Sequence, residues 1–331
     1  MPLNSIIIYA GLLSASNTGI GKFSNALIFS LRSYNPKSIY IRNKNLKKRI
    51  FEELFISIKS IFLKKDDLCI FSSERDLPFS IFSRSAKKII IIHDLRFIEE
   101  KGIRNFFLKK IFTITKFKKI ICVSQSISDD LSNLGFKSEV LHNPIEISKI
   151  KSVVKKELKK NKLNLCTLGS FEKRKNIDFL IKVAKYFPKF EFNVFISKFY
   201  FENSKKEIIT KLRKINNINL FVGLHDKDLF EKMQYSNIFL SFSNYEGFGR
   251  TYIEAQKIGL PVLALKNNIT SEVLLESAYL MNEFSISNFI EGVEEITNFY
   301  GSYVKKSFKN SDRFSLKIFE KKLKDMILPF L

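Results

Sequence analysis

One feature constrains this chain more than any other. Short apolar runs of strand length alternate with longer segments of helical spacing, almost from end to end. Apolar runs at 6–10, 38–41, 68–71, 88–92, 120–123 and 139–141 are separated by helical patterns near 20–31, 47–63, 103–118 and 125–134. A second series follows, with runs at 163–168, 191–196, 218–222, 238–242, 261–264 and 278–281. Helical patterns lie between them at 175–186, 203–215, 226–235 and 249–258. Such alternation predicts βαβ crossovers and parallel sheets covered on both faces. Between the two series the character changes. His142-Asn143-Pro144 ends a run, and a lysine-rich stretch follows from Lys149 to Lys162; proline cannot continue a ladder. The expected organisation is an α/β protein of two doubly wound, Rossmann-like domains facing across a cleft. The first covers 1–145, a linker 146–162, and the second 163–312.

The 331 residues are enough for two such domains, and 45% of them are hydrophobic, which excludes a disordered chain. No apolar run approaches the roughly 18 residues of a membrane span. The apolar stretch 5–13 has no basic residue before it, so it reads as a buried strand rather than a secretory leader. Cys69, Cys122 and Cys166 are far apart, each in or beside a strand-like run. They read as reduced core thiols of a cytoplasmic protein. With three scattered His as well, a metal site is not expected.

The net charge of +23 invites a nucleic-acid or membrane reading. Its distribution argues against a single basic platform. Residues 1–150 carry 25 basic and 13 acidic side chains, and residues 151–331 carry 31 and 20. No nucleic-acid motif accompanies the charge, so nucleic acid is not an expected partner. Two stretches are denser. Residues 41–65 hold eight basic and two acidic residues, with Ile50, Phe51, Leu54, Phe55, Ile58, Ile61 and Phe62 at helical spacing. Residues 101–119 hold seven basic residues and no acid, interleaved with Phe106, Phe107, Phe112 and Phe117. The expectation is an apolar stripe packed on a sheet. The opposite, basic face is then available to an anionic membrane surface.

In open α/β sheets ligands bind beyond the carboxyl ends of the strands, so the loops there hold the candidate site. After the first run come Gly19, Ile20 and Gly21 at a helix start, where glycine lets a ligand approach and free amides favour an anion. His93-Asp94 follows the isoleucine run 89–92. Gly169-Ser170 leads into Lys173-Arg174-Lys175-Asn176, three cations beside a helix N-terminus, a placement that the helix dipole disfavours and a bound anion would relieve. The richest loop is 243–255. There Glu246, Gly247, Phe248 and Gly249 precede a helix that bears Glu254. Ionised carboxylates accept several hydroxyl hydrogen bonds, as a sugar or a ribose would offer.

These residues carry a resemblance. Glu246-Gly247-Phe248-Gly249 with Glu254, Ala255 and then Gly259-Leu260-Pro261-Val262 resembles the E-x7-E region of the family 4 (GT4) glycosyltransferases, which have the GT-B fold. Gly19-Ile20-Gly21, His93-Asp94, Val123-Ser124, Asn143-Pro144, Gly169-Ser170 with Arg174-Lys175-Asn176, and Arg313-Phe314-Ser315 fall in the same order, so the likeness runs from about 6 to about 320. The chain departs from the pattern in having Thr18 before Gly19, Phe242 before Ser243, and Arg250-Thr251 where Leu-Pro is common.

The resemblance implies a retaining, metal-independent transfer from a nucleotide-diphosphate sugar, with no cofactor, to a glycan or lipid-linked acceptor. Lipopolysaccharide, O-antigen or capsule synthesis at the inner face of the cytoplasmic membrane is the expected setting. It implies that Arg174 and Lys175 hold the donor diphosphate, that Gly19 and Gly21 approach it, and that Gly169 lines the same loop. Glu246 lies by the donor sugar with Gly247, Phe248 and Gly249. Glu254 binds the ribose and His93 lies near the transferred sugar. A final helix at about 313–329 crosses back to the first domain. The competing expectations are a nucleic-acid-binding α/β protein and a phosphorylase or sugar-nucleotide epimerase on the same fold.

Overall fold

A computed structural model describes residues 5–12, 18–41, 46–147 and 158–331. The chain divides into two compact units, 1–144 with 316–331, and 145–315. Residues 14–17 of the first glycine loop and most of the lysine-rich linker lie outside the described residues.

The first unit runs β1 (Ile6–Leu12), α1 (Gly19–Ser30), β2 (Lys37–Ile41), α2 (Leu46–Ile61), β3 (Leu68–Phe71), α3 (Leu77–Phe82), β4 (Lys87–Ile92), α4 (Arg96–Glu99), α5 (Ile103–Ile114), β5 (Lys119–Cys122), α6 (Gln125–Asn133) and β6 (Glu139–Val140). Its parallel sheet has the order β2-β1-β3-β4-β5-β6. The central strands are apolar because both faces are covered: Ile8, Ile70, Phe71 and Ile89 through Ile92 are fully buried. Cys69, Cys122 and, in the second unit, Cys166 are buried and in no disulfide.

The second unit runs β7 (Asn164–Leu168), α7 (Ile177–Tyr186), β8 (Glu191–Ile196), α8 (Lys198–Glu202), α9 (Lys206–Arg213), β9 (Ile218–Val222), α10 (Asp226–Met233), β10 (Ile238–Ser241), α11 (Arg250–Lys257), β11 (Val262–Leu265), α12 (Asn268–Leu274), β12 (Ala278–Met281), α13 (Ile286–Asn298) and α14 (Tyr300–Asp312). Its parallel order is β12-β11-β10-β7-β8-β9. A last helix, α15 (Leu316–Ile327), belongs to the first unit. There Phe319 meets Phe23 edge-on at 5.3 Å, and Glu320 pairs with Arg32 at 2.9 Å.

Both sheets change winding direction at one place. In the first the chain steps from β1 out to β2, then returns to β3 on the other side of β1. In the second it steps from β7 to β8 and β9, then returns to β10 beside β7. The winding therefore reverses between β1 and β3 in one sheet and between β7 and β10 in the other, the position of the crevice in an open sheet.

Two points differ from expectation. The helix expected at 203–215 is α9, and the short helix α8 that precedes it was not expected. Ser197 caps α8, accepting from the Tyr200 amide at 3.4 Å, and the Ser204 hydroxyl bonds the Tyr200 carbonyl at its end. The second point concerns α2, whose apolar stripe does not lie on the sheet. Ile56, Ser57 and Ser60 face inward, with Ser60 bonded to the Tyr9 hydroxyl at 2.7 Å. Phe51 and Phe62 are 73% and 80% exposed. In α5 the inward residues are Leu108 and Phe112, while Phe106 and Phe107 face out. Periodicity gives a stripe but not its direction; a serine face closes on Tyr9 here.

Candidate functional site

The residues predicted in the second unit gather at its crevice. The loop after β7 turns through Gly169, whose amide donates to the Phe195 carbonyl at 3.1 Å. Lys175 folds back over Gly169, so that a Cβ there would come within 3.5 Å of Lys175 Cε. Lys173–Lys175 form a single 3-10 turn, and Asn176, with φ 48°, starts α7. A small concavity beside them is lined by Gly169, Ser170, Lys175 and Ser241.

The loop after β10 supplies the counter-charge. Glu246 pairs with Lys175 through Oε1 and with Arg174 Nη1 through Oε2 at 2.9 Å. Arg174 also donates to the Tyr245 carbonyl at 3.0 Å and to Glu172 Oε2 at 2.7 Å. The Asn244 amide closes the arrangement on the Arg174 carbonyl at 2.8 Å. The Glu246 side chain is only 12% exposed. Burial pushes its carboxyl upward, but Lys175 and Arg174 outweigh burial and hold it below the ordinary carboxylate value. The dipole conflict read from three consecutive cations is thus met within the chain, by Glu246 and Glu172.

The glycine run has a geometric cause. Gly249 has φ 80° and precedes α11, and a Cβ on it would collide with the Tyr252 ring. Phe248 is buried and meets Phe314 edge-on at 5.3 Å, while Gly247 lies between it and Glu246. Glu254, on α11, is 5% exposed and pairs with Arg250 one turn earlier at 3.4 Å. Arg250 thus fixes the carboxylate that the resemblance assigns to a ribose. The Phe314 carbonyl accepts from the Ile145 amide at 2.8 Å, which ties the two ends of the unit together.

The first unit holds the other predicted residues. Gly19 opens α1, and Thr18 caps it by accepting from the Gly21 amide at 3.1 Å, so that amide already has a partner. His93 is 8% exposed; its Nε2 donates to the Ser72 carbonyl at 2.9 Å and its ring stands edge-on to Phe23 at 4.8 Å. The sequence reading missed what lies beside it. Glu74 accepts from the His93 amide at 3.2 Å, and Asp76 accepts from the Ser73 amide at 3.1 Å. Both carboxyls are buried. Burial, then the nearby Asp94, raises Glu74; burial, then Glu74, raises Asp76 to about 7. Ser-Ser-Glu-Arg-Asp reads as a polar turn, and only its position after β3 marks it. Among the described residues no group of three or more His, Cys, Asp or Glu is placed to hold a metal ion.

Residues 148–305 match the family model of the glycosyl transferases group 1, a segment inside the second unit. An uncharacterised 41.2 kDa protein in the cps region of Klebsiella pneumoniae is 28% identical over 151 residues, covering 45% of this chain and 40% of that protein. An uncharacterised glycosyltransferase of Methanocaldococcus jannaschii is 28% identical over 149 residues, covering 42% of this chain and 36% of that one. The matched part thus spans less than half the length of these curated relatives. Among solved structures, Anabaena HepE in complex with UDP and glucose superposes with a TM-score of 0.73 at 14% identity, over 98% of this chain and all of that one. The chain has the GT-B fold, and its second unit carries the sequence pattern of the glycosyl transferases group 1.

Proposed function

We propose that this chain is a retaining glycosyltransferase of the GT4 type. It moves a sugar from a nucleotide-diphosphate donor to a hydroxyl of a glycan or lipid-linked acceptor in surface-polysaccharide synthesis, in the cytoplasm. The observation that carries the reading is the Arg174–Glu246–Lys175 network at the crevice of the unit that matches group 1 glycosyl transferases.

The chemistry follows from charge. When the bond from the anomeric carbon to the diphosphate breaks, negative charge grows on the leaving phosphate. Arg174 and Lys175 are preorganised cations that stabilise such charge without reorganisation. Glu246 holds both side chains in place and, being ionised, accepts hydrogen bonds from donor sugar hydroxyls. Glu254, fixed by Arg250, accepts from the ribose. The acceptor oxygen bonds to the anomeric carbon on the face the leaving group vacates. Its proton passes to the departing phosphate, so configuration is kept and neither a covalent enzyme intermediate nor a metal is required.

The test is a screen of nucleotide sugars for thermal stabilisation and for nucleotide release. A stabilising donor is expected, with release accelerated by a glycan or lipid-linked acceptor. Removing only the cations would leave Glu246 buried without a counter-charge, so the informative variant is R174M/K175M/E246Q, which is neutral throughout. It should fold, by circular dichroism, and show neither stabilisation nor release. Stabilisation equal to the parent would remove these residues from the donor site.

A further inference from the structure

Large apolar side chains left in water cluster in one part of the first unit. Of those exposed among the described residues of the whole chain, more than half lie between 50 and 114. They are not scattered. α3 packs against both α2 and α5. Each of the three helices exposes apolar groups: Phe51, Phe55 and Phe62 on α2 and its end, Phe82 on α3, Phe106 and Phe107 on α5. Contiguous exposed apolar surface of this extent marks an interaction site.

We propose that α2, α3 and α5 form a face that inserts its aromatic side chains into the surface of an anionic bilayer. Charge selects this occupant. α5 carries Arg104, Lys109 and Lys110 and no acid, and α2 carries Lys47, Lys48, Arg49 and Lys59 against Glu52 and Glu53. The Lys59 ammonium sits over the Phe55 ring, 4.4 Å from its centroid, so cation and exposed aromatic group share one place on the surface. Aromatic groups flanked by long cations match the boundary between acyl chains and anionic headgroups. A second copy of the chain is a poor occupant, since it would press like charges together. Among the described residues no helix is long and apolar enough to cross a membrane, so the face is proposed to lie in the interface plane. The driving force differs from that of a basic surface alone: apolar area leaves water, and salt weakens the binding without abolishing it. None of these residues belongs to the Arg174–Glu246–Lys175 network, so the proposal stands or falls separately from the transferase reading.

The chain has no tryptophan, so one introduced indole reports on one place. F51W and F106W should shift to the blue on vesicles containing phosphatidylglycerol and be quenched by brominated acyl chains. F199W, on α8 of the second unit and 63% exposed in the parent residue, should do neither. The F51S/F106S variant should partition more weakly by about tenfold for each aromatic ring removed. At about 1 M salt, where exposed charges are screened within about 3 Å, part of the quenching should persist. Absence of a blue shift on anionic vesicles overturns the proposal. So does complete loss of quenching in salt, which means adsorption by charge alone. A concentration-dependent shift without vesicles makes the face a contact between copies, and a shift that needs an added acidic protein makes it a protein interface.

Discussion

The two sheets present the same crevice and fill it with opposite chemistry. In the second unit a carboxylate from the loop after β10 neutralises two cations from the loop after β7, and the carboxyl is held ionised. In the first unit the loop after β3 buries two carboxyls, Glu74 and Asp76, among serine hydroxyls, and both are pushed toward the neutral form. A doubly wound sheet therefore fixes where polar groups collect without fixing their charge. That is set by which loop residues the topology brings together.

The sharpest way to break this comparison is to strip the second crevice. R174A/K175A leaves Glu246 buried and uncompensated, which should cost about 3–5 kcal/mol of stability in that unit. It should also lower transfer by about 10⁴-fold, taking roughly 10²-fold per preorganised donor. Denaturant titration and donor turnover measure the two losses. Stability unchanged from the parent would mean that Glu246 finds another partner.

The second prediction inverts pH. Glu74 and Asp76 have folded values raised above the ordinary carboxylate range, so the fold binds more protons than the unfolded chain. Their contribution is fully present below about pH 4 and is lost as pH rises toward 7. Glu246 has a lowered value, so its contribution is present above the ordinary range and is lost on acidification. Amide exchange in β3 and β4 should therefore quicken from pH 5 to pH 8 after correction for intrinsic rates. That in β7 and β10 should not. Asp76→Asn should flatten the first slope and stabilise the unit at pH 8, by on the order of 2 kcal/mol. An unchanged slope would mean that Asp76 is ionised in the fold.

The smallest effect separates two glycines of positive φ, Gly11 in β1 and Gly249 at the start of α11. Gly11 and Gly249 have φ 61° and 80°. Around Gly11 the nearest atom to a new Cβ is Asp76 Oδ1 at 3.7 Å, ordinary contact, whereas at Gly249 the Tyr252 ring blocks it. Gly11→Ala should cost about 1–2 kcal/mol, the left-handed penalty alone. Gly249→Ala should cost more by thermal melting, because the Tyr252 ring must also move.

Much of this was legible in order and little of it in partnership. The strands were readable because buried parallel strands are near-continuous apolar runs, as at Ile89–Ile92. Gly169, Lys175 and Glu246 stood out by following such runs. Their pairing was not readable: Lys175 and Glu246 are 71 positions apart, and only the adjacency of β7 and β10 joins them. Nor was the orientation of α2, since a helical stripe is the same pattern whether it meets a sheet or water. The apolar pattern marks no helix at α12, α13 or α14, although Asn267 and Ser285 cap the first two through side-chain bonds to the amides of Thr270 and Asn288.

The placement of α15 bears on how the protein is made. The first unit combines the earliest part of the chain with residues 316–331, whereas the second is one continuous stretch. On a ribosome, Phe23 and Arg32 emerge long before Phe319 and Glu320, which complete their packing. The second unit can therefore close while the first still lacks a helix. A chain truncated after residue 315 should protect β7 through β12 from protease and leave α1 accessible.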